Sequence, residues 1–145
     1  KNYLHLAEKN GAQVLRLTDD SVRVELAVPA ELRQDYRFVP GQHLAVRTEL
    51  DGVPVRRTYS ICTPPSSGRL QVAVKALPGG AFSGRANHVL AAGDLLAVMT
   101  PAGRFGVRPD PSCAKRYVAV AAGSSTKGAT GFGTRLLLRW LEEMA

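Results

Sequence analysis

Hydrophobic and polar residues alternate over much of the first hundred positions. Val22-Arg23-Val24-Glu25-Leu26-Ala27-Val28 switches at nearly every step, and Leu70-Gln71-Val72-Ala73-Val74-Lys75 repeats the pattern. A period of two places one set of side chains on a buried face and the other on a wetter one, the pattern of a β-strand. Val14 to Leu17, His43 to Thr48, Val53 to Ile61 and Leu95 to Met99 have similar β-type content. Turn signals separate these runs: Pro29, Pro40-Gly41-Gln42, Asp51-Gly52, Pro64 to Gly68 and Gly93-Asp94. Asp51-Gly52 is a hairpin signal. Six such strands predict an antiparallel barrel or sandwich. One helix interrupts them, predicted over Phe82 to Leu90 with Ser83 as N-cap and Gly93 just past its end.

The pattern changes after about Ser112. Tyr117 to Ala122 is a continuous apolar run, as in a buried parallel strand. Gly123, Gly128, Gly131 and Gly133 mark a glycine-rich loop, and Thr134 to Met144 reads as an amphipathic helix. The expected organisation is therefore a β domain over residues 1–112 and a single strand–loop–helix unit over residues 113–145, like the opening of a nucleotide-binding α/β domain. An exposed apolar face on that last helix could drive dimerisation.

The chain has 145 residues, 45% hydrophobic and 21% charged, which suits a folded chain rather than a disordered one. It has no apolar run of membrane-spanning length, and Lys1-Asn2-Tyr3-Leu4-His5 lacks a signal peptide's apolar stretch. Cys62 and Cys113 stand alone, without metal or disulfide spacing. These features predict a cytoplasmic protein. His5, His43 and His88 also lack metal-ligand spacing and read as ordinary strand or helix residues.

The net charge of +7 is unevenly spread. From Gly52 to Gly93 there is no Asp or Glu, while Arg56, Arg57, Arg69, Lys75 and Arg85 all fall inside. A chance gap in a basic protein is one reading. A local anion site is the other. Arg57 and Tyr59 share a strand face: a guanidinium can fork onto phosphate oxygens, and an aromatic ring can lie on a planar heterocycle. The Ser60 hydroxyl can donate to a ring nitrogen. A strand with one solvated arginine and a core tyrosine explains the same residues equally well. Gly79-Gly80-Ala81-Phe82-Ser83 lets backbone N–H groups approach a phosphate at a helix start, though an ordinary turn and N-cap has the same sequence.

Arg57-x-Tyr59-Ser60 resembles the R-x-Y-S flavin signature of the ferredoxin–NADP⁺ reductase superfamily. Pro40-Gly41-Gln42, Val74-Lys75, Gly79-Gly80-x-Phe82-Ser83, Gly93-Asp94 and Pro101-x-Gly103-x-Phe105 resemble further elements of that family, in its order. The wording is most similar to the multidomain reductase subunits of bacterial aromatic oxygenases, of the phenylacetyl-CoA epoxidase type. The resemblance implies a six-stranded antiparallel FAD-binding barrel with one capping helix. It implies FAD as cofactor, with FMN a less fitting alternative. Arg57 would bind the pyrophosphate, Thr58 would also contact the cofactor, Tyr59 would pack on the isoalloxazine or hydrogen-bond the ribityl chain, and Ser60 would sit near N5. Ala73, Val74 and Lys75 would contribute backbone contacts, and Gly80, Ala81, Phe82 and Ser83 would hold the phosphates. Tyr59 and Ser60 are the implied catalytic residues.

Tyr117 to Gly123 resembles the first strand of the family's nicotinamide domain, and Ser124 the residue that approaches the flavin. The match stops there: Ser125-Thr126-Lys127-Gly128 replaces the family's turn. The implied function is transfer of hydride from NAD(P)H to FAD and of electrons onward to a ferredoxin domain or oxygenase. NAD(P)H and a 2Fe-2S centre are expected only in a longer protein, and this piece is expected to be inactive alone. The rival reading is a non-catalytic basic barrel that binds an anionic partner such as nucleic acid. The dispersed cations and the 6% aromatic content fit a base-stacking platform poorly.

Overall fold

A computed structural model describes residues 4–6, 13–105 and 112. Residues Lys1–Phe105 form one compact unit. The predicted strand, loop and helix after Ser112 lie outside the described residues.

Among the described residues seven strands form, all paired antiparallel: β1 (Leu4–Leu6), β2 (Gln13–Thr18), β3 (Ser21–Leu26), β4 (His43–Leu50), β5 (Val53–Ser60), β6 (Leu70–Lys75) and β7 (Leu96–Val98). They make a four-stranded sheet in the order β1-β7-β4-β5 and a three-stranded sheet in the order β2-β3-β6. The count is seven where six were expected. The added strand, β1, is only three residues long, too short to show alternation.

The expected closed barrel does not form among the described residues. The two sheets meet at a single bridge, Ile61 with Val72, next to a hydrogen bond from the Cys62 N–H to the Gln71 carbonyl (2.9 Å). The ladder cannot extend further in that direction, because Pro64 and Pro65 lack N–H donors and lead into a 3-10 turn at Pro65–Ser67.

The core lies between the sheets. Val22, Val24 and Leu26 of β3 are at most 4% exposed, while Arg23 and Glu25 are only half-buried, as the alternation predicts. Leu44 and Val46 of β4 and Val72 and Val74 of β6 join them in one buried cluster. Helix α1 (Ala81–His88) packs on β3, β5 and β6 and places Phe82 and Ala86 in that core.

The helix begins one residue earlier than predicted, and its N-cap is Gly80, not Ser83. Ser83 lies in the first turn, 5% exposed; its hydroxyl donates to the Gly80 carbonyl (3.1 Å) and accepts from the Leu77 N–H (3.2 Å). Side-chain room decides this. A Cβ at position 80 would lie 2.3 Å from Ser83 Oγ, so only glycine lets the serine fold back into the loop.

Candidate functional site: the face shared by β5, β6 and α1

The β4–β5 hairpin turns at Asp51 (φ 51°) and Gly52 (φ 77°), the left-handed pair that a two-residue loop requires. That turn fixes the register. Arg57 stands opposite Val46 and Tyr59 opposite Leu44, whereas Thr58 and Ser60 stand opposite Ala45 and His43 on the other face. Arg57 and Tyr59 therefore share a face, as expected.

Arg57 is exposed and donates to the Arg56 carbonyl (2.7 Å); among the described residues no carboxylate pairs with it. Tyr59 is half-buried, with its ring 5.5 Å from that of Phe82 and tilted by 38°. Burial pushes the Tyr59 phenol above its ordinary pKa, and the nearby Arg57 charge partly opposes the shift. Thr58 and Ser60 are exposed. The ring contact ties β5 to the start of α1, which brings the arginine–tyrosine–serine strand next to the glycine turn.

That turn is built for close approach. Gly79 adopts φ +69° with open space where a Cβ would lie, whereas a Cβ on Gly80 would meet the Ser83 hydroxyl. Ala81 is exposed, and the first turn of a helix leaves backbone N–H groups without intrahelical acceptors. Phe82 and Ser83 are buried at 2% and 5%, so what they can offer a ligand is backbone. Asn87, also buried, donates to the Val74 carbonyl (3.1 Å) and the Ser83 carbonyl (2.9 Å), joining β6 to the helix start. Ala73 is half-buried, Val74 fully buried and Lys75 exposed at the end of β6. Ser124 lies outside the described residues.

The acid-free stretch is less bare in space than along the chain. Asp20 reaches Lys75 (3.3 Å), and hydrogen bonds from Thr18 and then Lys75 hold its carboxyl below the ordinary value. Glu25 pairs with Arg69 and also accepts from Gln71 (2.6 Å). Two of the five cations are thus neutralised by acids from the β2–β3 region.

Sequence reasoning missed two features. His43 stands directly across the ladder from Ser60, and a Cβ at Gly103 would come within 2.9 Å of its Nδ1. The Pro40-Gly41-Gln42 turn also interlocks with the 101–105 segment: a Cβ on Gly41 (φ +85°) would lie 1.4 Å from the Phe105 carbonyl oxygen. The main signal available for either was the spacing of the two glycine motifs.

The exposed arginine, the aromatic pair and the side-chain-free turn match a ligand that is anionic at one end and flat at the other. The chain belongs to the oxidoreductase FAD-binding domain family, whose model matches residues 12–106. This bears out the resemblance to the ferredoxin reductase superfamily. Over 113 residues it is 46% identical to a 1,2-phenylacetyl-CoA epoxidase subunit of Escherichia coli strain K12, covering 78% of this chain and 32% of that protein. It is 30% identical over 112 residues to component C of methane monooxygenase of Methylosinus trichosporium, covering 76% of this chain and 32% of that one. The solved structure of phthalate dioxygenase reductase, a modular protein for electron transfer from pyridine nucleotides to [2Fe-2S], superposes with a TM-score of 0.56 at 27% identity, covering 73% of this chain and 32% of that one. The chain thus spans about a third of the length of these relatives. The geometry fits FAD: a cation without an acidic partner among the described residues stands beside an aromatic pair and the first turn of a helix.

Proposed function

We propose that this chain is the flavin half of an NAD(P)H-dependent reductase that passes electrons to an oxygenase or an iron–sulfur partner, and that its working context is cytoplasmic. Bound FAD supplies the redox chemistry, accepting hydride at N5 and releasing electrons singly. The residues here hold and orient it. Arg57, exposed on the strand face it shares with Tyr59, forks onto the pyrophosphate, and the backbone of Thr58 lies alongside. The Gly80 N–H donates to the Leu77 carbonyl (2.9 Å), so it is the N–H groups of Ala81 to Ser83, led into by Gly80, that meet the same phosphates at the helix start. Tyr59, braced by Phe82, orients the ring, and the Ser60 hydroxyl donates towards N5. Ala73, Val74 and Lys75 line the adjoining edge of the sheet. Residues 113–145, Ser124 among them, are read from their sequence as the opening of a nicotinamide domain.

The observation that carries this reading is Arg57: exposed, next to the Tyr59–Phe82 pair, and without a carboxylate among the described residues. Fluorescence titration of FAD into the chain and into Arg57→Ala tests it. An equal dissociation constant for both proteins would remove Arg57 from the site. In a longer protein that includes the nicotinamide domain, Ser60→Ala is expected to slow flavin reduction more than it weakens FAD binding. Equal reduction rates would remove the role given to Ser60.

A further inference from the structure

Helix α1 is only 8 residues long, and its N-cap, Gly80, makes no side-chain capping bond. A helix that short is marginal by itself in water, so ties to the rest of the fold decide where its first turn stands. Two sets of ties bracket the segment. Before it, the Ala76 N–H donates to the Asp20 carbonyl (2.7 Å) and Lys75 pairs with the Asp20 carboxylate (3.3 Å). At its end, the Arg16 guanidinium donates to the Asn87 carbonyl (2.6 Å) and to the Asp19 carbonyl (3.2 Å). Both ends are thus pinned to the β2–β3 hairpin.

A third tie is internal. Asn87 lies among the buried residues of α1 with Phe82, Ser83 and Ala86, and is 5% exposed. Its amide nitrogen donates to the Val74 carbonyl of β6 (3.1 Å) and to the Ser83 carbonyl (2.9 Å). Those two carbonyl oxygens can therefore stand no further apart than the two bonds laid end to end. An apolar side chain would suit a buried helix face better. The amide also costs stability, because its Oδ1 is buried with no hydrogen-bond partner among the described residues. What the amide supplies is spacing. Val74 belongs to the β6 stretch read as lining the flavin, and Ser83 closes the run of N–H groups read as meeting the phosphates.

We propose that Asn87 is a positioning residue for the cofactor: it fixes the distance between the backbone of β6 and the first turn of α1, so that one FAD molecule reaches both. The inference rests on the functional reading above and adds a residue to it. A ligand that must touch two segments at once binds best when their separation is set before it arrives. Asn87 acts through Val74 and Ser83 and needs no contact with FAD. Arg16 supports it from outside by holding the carbonyl of the same residue.

The test titrates FAD into the full chain and three variants, with the denaturation midpoint of each FAD-free protein measured alongside. Asn87→Leu keeps the shape and removes both donors. Asn87→Ser can still bond back to the carbonyl four residues earlier but is too short for Val74. Both are expected to raise the FAD dissociation constant at least about tenfold. Arg16→Met, at an exposed position, is expected to raise it about threefold. Sucrose stabilises a folded chain without restoring a lost bond, so titrations repeated in it should give the same weakened affinities. An unchanged dissociation constant in Asn87→Leu would overturn the inference. So would full affinity in Asn87→Ser, because the bond within the helix would then suffice. Recovery in sucrose would overturn it too, because the role would then be stability alone. If Asn87→Leu does not fold, Asn87→Ser and Arg16→Met carry the same test. A wild-type chain that does not bind FAD overturns the functional reading and the inference with it, whereas equal binding by wild type and variants overturns the inference alone.

Discussion

Arg57, within β5, and Arg69, just before β6, come from the same acid-free stretch, and the fold treats them oppositely. Arg69 is bound by Glu25, which Gln71 also holds, so its charge is spent within the protein. Arg57 donates to a backbone carbonyl and faces outward beside an aromatic pair. A cation that the protein neutralises holds structure together, whereas one it leaves exposed beside an aromatic surface is available to a ligand. The difference comes from the facing strand. Arg69 precedes β6 where that strand lies alongside acidic Glu25 of β3, whereas the cross-strand neighbour of Arg57 is Val46.

The largest expected effect sharpens the structural side of this contrast. Phe82→Ala empties a 2%-exposed core position and removes the brace under Tyr59. It should cost about 3–5 kcal/mol of stability by chemical denaturation. Arg57→Ala should leave the denaturation midpoint unchanged but weaken FAD binding by about 1.5–3 kcal/mol, measured by titration. If Arg57→Ala instead destabilised the fold, the contrast with Arg69 would collapse. Gly41→Ala should cost about 1–3 kcal/mol from its left-handed backbone alone, before the collision with Phe105, without direct contact to the cofactor face.

The smallest effect concerns Glu25. Its hydrogen bonds, first from Arg69 and then from Gln71, hold its pKa below the ordinary 4.5. A depressed folded-state value stabilises above the unfolded pKa and is lost as pH falls through the folded one. The melting temperature of the wild type should therefore fall more steeply below about pH 4.5 than that of Glu25→Gln, while FAD binding at neutral pH is the same in both. A matching drop in FAD affinity in Glu25→Gln would show that the Arg69 end belongs to the cofactor site after all.

What could be read in advance depended on range along the chain. Alternation in Val22 to Leu26 and Leu70 to Lys75 reports directly on which side chains face the core, so β3 and β6 were legible, as was the Asp51-Gly52 turn. The shared face of Arg57 and Tyr59 followed from the period of two. Contacts between distant segments were not legible. Nothing local to Lys75 announces Asp20, and nothing in Pro40-Gly41-Gln42 says that Phe105 will press on its glycine. Ser83 has the composition of an N-cap, but Gly80 took that place because the serine hydroxyl bonds back into the Leu77–Gly80 loop. Among the described residues the barrel does not close, and the sequence holds a reason: Pro64 and Pro65 closely follow the bridge between the sheets.

The central claim is that Arg57 to Ser60, Ala73 to Lys75 and Gly80 to Ser83 together hold FAD. The most direct test is the visible absorption spectrum of the chain after incubation with FAD and gel filtration, run beside Arg57→Ala. The account predicts flavin bands that travel with the wild-type protein and are depleted in the variant. A folded wild-type chain that elutes colourless, with all the FAD in the small-molecule fraction, would contradict it.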